Sequence, residues 1–293
     1  MKKSKFYFNE IVVALILSLF LLGCNKSDDP NDPGTVPERT KITMETPIDS
    51  DIDWNNVKLV WSEEFNESTI LDDIMAFVPK NTTNPDIADQ LQSYREENVR
   101  LSGGTLKISA KKEAGVYTSA RLSGKHAFRY GRIEISAKLP EQEKKGIWAK
   151  LALIGDNDNI VGWPQCGEID LLEYFSYRPN EIDINVHSSA NNSLNGTLIS
   201  ATTDLESAEE EFHAYGILWT DQYIKFYIDD IDNIIYTLNR PASPTDGNWP
   251  FDKHFYLLAD MVIGGKFGGA EGVDDSLFPA IMEIAYIRVY HIQ

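Results

Sequence analysis

The chain has 293 residues, with 27 Lys plus Arg against 45 Asp plus Glu and a formal net charge of −18. Its 42% apolar and 25% charged residues make a globular balance that excludes wholesale disorder. A surface this acidic repels phosphate, which excludes nucleic acid as a partner, and two cysteines exclude a disulfide scaffold.

Residues 1–23 read as a secretory signal, with Lys2, Lys3 and Lys5 ahead of an apolar run from Ile11 to Leu22. That run is too short for a bilayer-spanning helix, which takes about 20 residues. It ends in Leu21-Leu22-Gly23-Cys24, which resembles a bacterial lipobox. The resemblance implies that Cys24 becomes the lipidated first residue of the mature chain and anchors it to a membrane without a transmembrane helix. Cys166 would then have no partner for an intramolecular disulfide. Residues 24–50 are rich in Asp, Pro, Asn, Ser and Thr and read as a flexible tether. Their start, Asn25-Lys26-Ser27-Asp28-Asp29, resembles the acidic export signals of bacterial surface lipoproteins, which implies display on the outer membrane. A solvated linker has nearly the same composition.

Residues 51–293 carry no long helical period. Short strand-like runs between turn residues take its place: Thr105–Ala110, Gly131–Lys138, Ile182–His187, Phe212–Thr220, Tyr223–Ile228, Phe255–Val262 and Ile284–His291. Many strands without intervening helices predict an all-β domain, an antiparallel sandwich of two sheets.

The chemistry concentrates in Gly162-Trp163-Pro164-Gln165-Cys166-Gly167-Glu168-Ile169-Asp170-Leu171-Leu172-Glu173-Tyr174. In a strand, Glu168 and Asp170 share a face. Strict alternation would send Glu173 to the opposite face, into the core, where an unpaired carboxylate is costly. A β-bulge at Leu171-Leu172 returns Glu173 to the face of the other two. Three carboxylates in a row suit hydrolysis of a glycosidic bond with retention, which needs a nucleophile and an acid about 5–5.5 Å apart. Mutual repulsion keeps one of them protonated. A solvated acidic sheet face is the plain alternative.

The stretch 58–290 resembles glycoside hydrolase family 16, in the bulged form of its laminarinase-like members. The matching residues are Leu59-Val60-Trp61-Ser62-Glu63-Glu64-Phe65, Asn98-Val99-Arg100, Tyr117-Thr118-Ser119-Ala120-Arg121, Phe128-Arg129-Tyr130-Gly131-Arg132-Ile133-Glu134, the carboxylate strand itself, Trp219, Tyr227-Ile228-Asp229, Ile263-Gly264-Gly265 and Ile287-Arg288-Val289-Tyr290. The resemblance implies a β-jelly-roll with a substrate cleft on its concave sheet, a monomer that needs no cofactor, and Glu168 as nucleophile, Asp170 as its helper and Glu173 as acid/base. It also implies a sugar shell. Trp163 stacks on a pyranose, Asn98 and Arg121 contact hydroxyls, His187 lines the cleft, and Asp260 stands where the family has an asparagine. Arg121 also reads as a surface charge and His187 as a structural histidine, and Trp148 reads either as a sugar-contacting cleft residue or as core.

Some residues depart from the pattern. The usual Trp-Pro-Ala-Phe-Trp-Met-Leu-Gly is Trp148-Ala149-Lys150-Leu151-Ala152-Leu153-Ile154-Gly155, so the second indole is Ala152, which predicts an opened pocket. The usual Asn-Glu-Leu-Gln is Asp89-Gln90-Leu91-Gln92, and a tryptophan after the Gly-Gly loop is Phe267. An aspartate that the family uses for a structural calcium is Ala285, so no calcium, or only weak binding, is expected there. The expected activity is that of a retaining endo-β-glycosidase on β-1,3 or β-1,4 bonds. Its substrate is either β-glucan or a galactose-containing glycan, such as mucin-type poly-N-acetyllactosamine or galactan. A glycan-binding surface lipoprotein without hydrolysis is the alternative.

Overall fold

In a computed structural model, residues 39–44, 52–66, 69, 71–78, 89–140 and 144–291 are described. The signal, Cys24 and the tether up to residue 38 lie outside them, as do residues 45–51.

The described strands are, along the chain, β1 (Thr40–Thr43), β2 (Lys58–Glu63), β3 (Met75–Phe77), β4 (Ser93–Tyr94), β5 (Val99–Ser102), β6 (Thr105–Glu113), β7 (Val116–Ser119), β8 (Arg121–Arg129), β9 (Gly131–Lys138), β10 (Ile147–Gly155), β11 (Glu168–Phe175), β12 (Glu181–His187), β13 (Ile199–Asp204), β14 (His213–Trp219), β15 (Tyr223–Ile228), β16 (Ile234–Asn239), β17 (Phe255–Ile263) and β18 (Ala280–His291). They form the two sheets of a sandwich. One sheet runs β1-β8-β17-β10-β11-β12-β13, with β3 also on β8. The other runs β16-β15-β14-β9-β18-β6-β7-β4, with β2 on β18 and β5 on β6. Six of the seven runs read as strands in the sequence fall within strands, and the seventh, Phe212–Thr220, overruns β14 by one residue at each end. The expected antiparallel order holds except at two sheet margins, where β1–β8 and β4–β7 pair in parallel.

The core lies between the sheets. Ile147, Ala149, Leu151 and Leu153 of β10 enter it with Ile169 of β11, Ile184 of β12 and Ile133, Ile135 and Ala137 of β9. The residues between them on β10, Trp148, Lys150, Ala152 and Ile154, therefore point to the other face of their sheet. That face is also largely covered, and eight of the nine β10 residues are buried. A strand buried on both faces shows no alternation in its sequence, which is why β10 has no period-two signature.

Residues 40–43, expected inside the tether, instead form β1, in register from Thr40↔His126 to Thr43↔Arg129. Neighbouring side chains fasten it. Arg39 is buried, with its guanidinium 3.5 Å from the centroid of the Tyr256 ring. It donates to Gly124 O at 3.1 Å, Ser123 Oγ at 3.1 Å and Asp156 Oδ1 at 3.0 Å. Met44 is buried in the core. Four residues among polar neighbours are too few to show a strand period.

Candidate active site

The site is built on β11 and the strands on either side of it. Gly167 takes a left-handed φ of 85° at the turn into β11, a conformation that favours glycine. One strand away, Gly155 ends β10 so close to this turn that an added Cβ would lie 2.0 Å from the Cys166 carbonyl oxygen.

The β-bulge forms where the carboxylate spacing requires it. Against β12, Asp170 pairs with Asn185 and Glu173 with Asp183, so Leu171 and Leu172 together oppose one residue. Against β10, Leu151 pairs with Leu172 and Ala152 with Asp170. Both leucines pack in the core, and Glu168, Asp170 and Glu173 all emerge on the other face.

The ammonium of Lys150 joins the three. Its Nζ is 2.5 Å from Glu168 Oε1, 3.5 Å from Asp170 Oδ1 and 3.8 Å from Glu173 Oε1. Trp163, in the loop before β11, donates its indole N–H to Glu168 Oε2 at 2.5 Å. His187 Nε2 lies 3.2 Å from Asp170 Oδ2. Glu173 receives the indole N–H of Trp148 on Oε1 at 3.2 Å and the amide of Asn185 on Oε2. Asp170 is 0% exposed, and the two glutamates are also buried.

This environment separates the three acidities. Burial opposes the charge of Glu168, but Lys150 and then His187 outweigh it and hold the carboxyl down at about 2. Burial and then the neighbouring Glu168 push Asp170 up to about 6. Burial and then Asp170 push Glu173 up to about 8. One carboxylate is thus ionised and another protonated around neutral pH, the division that acid-assisted displacement requires. Burial also works against the charge of His187, and its contact with Asp170 raises it above the ordinary imidazole value.

Aromatic side chains flank the row. Trp148 stacks on Phe175 at 5.9 Å and meets Phe267 edge-on at 5.3 Å. The Trp163 ring lies 5.4 Å from that of His187. Trp148, Trp163 and His187 therefore each touch the carboxylate group directly.

Other expected residues behave differently. Arg121 is not a free surface charge. It is paired through Nε and Nη2 with Asp260 Oδ2, at 2.8 Å for the Nε bond, and Asp260 is 0% exposed. Asn98 is buried and donates its amide to Ser109 O at 2.7 Å and Thr118 Oγ1 at 3.2 Å. It ties β6 to β7 rather than presenting its amide to a ligand. Ala152 does not open a pocket. It is fully buried in an apolar cluster with Ala127, Ile154, Cys166 and Tyr256, against which Trp163 and Leu258 pack, so these neighbours cover the place expected to be vacant. Cys166 is free and buried, and burial pushes its thiol up to about 12.

Lys150 and Asn185 escaped the sequence reading. A lysine in a strand normally signals a solvated face. Asn185 lies two residues before His187 on the same face of β12, which was the available clue. Among the described residues, Glu168, Asp170 and His187 bring ligand-type atoms within 4.8 Å of one another. The Lys150 ammonium already supplies the positive charge at Glu168 and Asp170.

Residues 88–275 match the glycosyl hydrolases family 16. The chain is 35% identical over 251 residues to a beta-glucanase of Rhodothermus marinus, covering 80% of this chain and 85% of that protein. It is 27% identical over 305 residues to a keratan-sulfate endo-1,4-beta-galactosidase of Sphingobacterium multivorum, covering 99% of this chain and 68% of that one. The fold superposes on the crystal structure of a laminarinase from Flavobacterium sp. UMI-01 with a TM-score of 0.72 and 39% identity, over 80% of this chain and 100% of that one. With its two-sheet sandwich, its bulged carboxylate strand and this extent of similarity, the chain belongs to glycoside hydrolase family 16.

Proposed function

We propose that the chain is a retaining endo-β-glycosidase that cuts internal bonds of a laminarin-type β-glucan. The observation that carries this reading is the convergence of Glu168, Asp170 and Glu173 on one ammonium. An oxygen of Glu168 and one of Glu173 both reach the same nitrogen, a spacing short of the about 6.5–9.5 Å of an inverting pair.

In this mechanism Glu168 attacks the anomeric carbon while Glu173 gives its proton to the departing glycosidic oxygen. The C–O bond to the leaving sugar breaks and a glycosyl ester forms on Glu168. Glu173, now ionised, takes a proton from water. The water oxygen then attacks the same carbon, and Glu168 leaves as carboxylate with the configuration retained. Asp170 supports Glu168 from the same strand face, and the flanking indoles offer surfaces on which sugar rings stack.

The glucan assignment leans on the beta-glucanase and laminarinase similarities and on the burial of Ala152, which removes the reason to expect a widened pocket. Digestion of laminarin, mixed-linkage β-glucan, agarose-type galactan, keratan and mucin glycans, read by product mass, tests it. Oligosaccharide ladders from laminarin support the proposal. Ladders from keratan or mucin alone would transfer it to galactose-containing glycans, and binding without any products would favour a non-catalytic glycan binder.

A further inference from the structure

Lys150 stands at the middle of β10, in register with Glu173 of β11 on one side and Asp260 of β17 on the other. Its side chain is 12% exposed. A buried ammonium is costly unless paired, and so is each of the three carboxylates it meets. Three such carboxylates within reach of one another, left alone, would take up protons until little charge remained.

Of the three carboxylates, Glu168 lies nearest the Lys150 ammonium, and the other charges around it have partners of their own. Asp260 is engaged by Arg121 of β8, with the Tyr94 ring of β4 5.2 Å from that guanidinium. From β12, His187 leans on Asp170. Glu173 is held by Trp148 and Asn185, which are neutral. The Cys166 thiol, beside Glu168, is kept neutral by burial. Glu168 remains. It takes the Lys150 ammonium on Oε1 and the Trp163 indole on Oε2, and Asp170 hydrogen-bonds it from the same strand. One donor on each oxygen fixes the plane of the carboxylate, and only the ammonium brings charge.

We propose that Lys150 is a positioning residue of the reaction, the built-in counter-cation that keeps Glu168 charged and aimed while two further carboxylates stand beside it. The role rests on the glycosidase reading above. Its consequence is a working pH range displaced toward acid. Burial alone would raise Glu168, and an opposite charge this close lowers a carboxyl by about 1–3 pH units. Lys150 also draws Glu173 downward, so both limbs of the pH profile depend on it.

Lys150→Met keeps the unbranched stem up to the ε position and removes the charged nitrogen, and Lys150→Arg keeps the charge. Two readouts apply to the full chain. The first is the carbon-13 titration of the Glu168 carboxyl without substrate, assigned against Glu168→Gln. The second is the pH dependence of kcat/KM on laminarin. In Lys150→Met the Glu168 midpoint and the acid limb are expected to rise by about 1–3 pH units, the alkaline limb to move the same way, and Lys150→Arg to bring the acid limb back toward wild type. A loss of packing alone would lower the rate without moving either limb. Equal Glu168 midpoints in wild type and Lys150→Met overturn the proposal. If Lys150→Met does not fold, Lys150→Gln takes its place: a Glu168 midpoint raised above wild type sustains the role, and an equal one overturns it. A wild type inactive on every glycan fails the glycosidase reading. An active wild type whose acid limb stays in place in Lys150→Met fails this one.

Discussion

The indole N–H of Trp163 donates to Oε2 of Glu168 at 2.5 Å, tying the loop before β11 to the first carboxylate of the row. A ring expected only to stack on sugar therefore also holds the carboxylate proposed as nucleophile. Trp163→Phe keeps an aromatic face and loses the donor. A hydrogen bond to a charged group is worth about 1.5–3 kcal/mol, so kcat on laminarin should fall about 10–100-fold with a smaller change in KM. Trp163→Ala should raise KM as well. Steady-state kinetics of the two variants separate the roles, and an unchanged kcat in Trp163→Phe would remove the aiming role.

Glu168 and Glu173 should differ in their dependence on the leaving group. Glu168→Gln is expected to lower kcat by about 10⁴-fold or more on every substrate, with oligosaccharide binding by calorimetry largely kept. Glu173→Gln should cost about 10²–10⁴-fold on laminarin. It should cost far less in the first step on an aryl glycoside whose phenol leaves without a proton. Equal losses on both substrates would take the acid role from Glu173.

The pH behaviour follows from the same pair. The proposed mechanism needs Glu168 ionised and Glu173 protonated, so kcat/KM should fall away above about pH 8, with the acid limb below the ordinary carboxylate range. Stability carries the opposite signs for the two groups. Glu173 is raised, so its contribution is complete below the unfolded value of 4.5 and is lost as pH rises through about 8. Glu168 is lowered, so its contribution is present above 4.5 and is lost as pH falls toward about 2. Calorimetric Tm should decline from about pH 5 to about pH 9, and Glu173→Gln should flatten that decline. A decline equally steep in the variant would show that Glu173 is not its source.

Arg121 and Asp260 should behave as one unit. Asp260 is 0% exposed, so Arg121→Ala leaves a buried charge uncompensated and should destabilise by about 3–5 kcal/mol. Arg121→Leu combined with Asp260→Leu should cost much less than the sum of the single changes. Denaturant unfolding of the four species gives the coupling, and additive costs would mean the pair contributes nothing.

Lipid anchoring at Cys24 remains a proposal, because the residue lies outside the described structure. In a bacterial host, metabolic labelling with a fatty acid analogue should mark the wild-type chain and leave Cys24→Ser unmarked. The variant should also leave the membrane fraction. A labelled Cys24→Ser would refute the assignment.

The carboxylate strand was legible because a physical conflict marked it. Glu168, Asp170 and Glu173 do not share a face in a regular strand, and burying Glu173 alone is unfavourable, so a bulge was required and β11 has one. Strands with polar residues along one face were legible from alternation, as β9 was through Arg132, Glu134, Ser136 and Lys138. β10 was not, because it is covered on both faces. Asn98 and Ala152 were placed by resemblance alone. Their actual surroundings depend on contacts across the fold, Ser109 and Thr118 for the first and the Tyr256 and Cys166 cluster for the second. Lys150 was hidden for a related reason. A single lysine in a strand gives no sign of which charges the neighbouring strands bring to it.

The seam between β1 and β8 bears on where the protein can be cut. A recombinant chain started at residue 51, the domain edge that composition suggests, would lack Arg39 and β1. It would uncover one face of the Tyr256 ring and bare the main-chain edge of β8 along His126–Arg129. An open strand edge recruits other chains. Such a truncation should gain a tendency to self-associate through the same sheet that carries Glu168, and a start before Arg39 should avoid it.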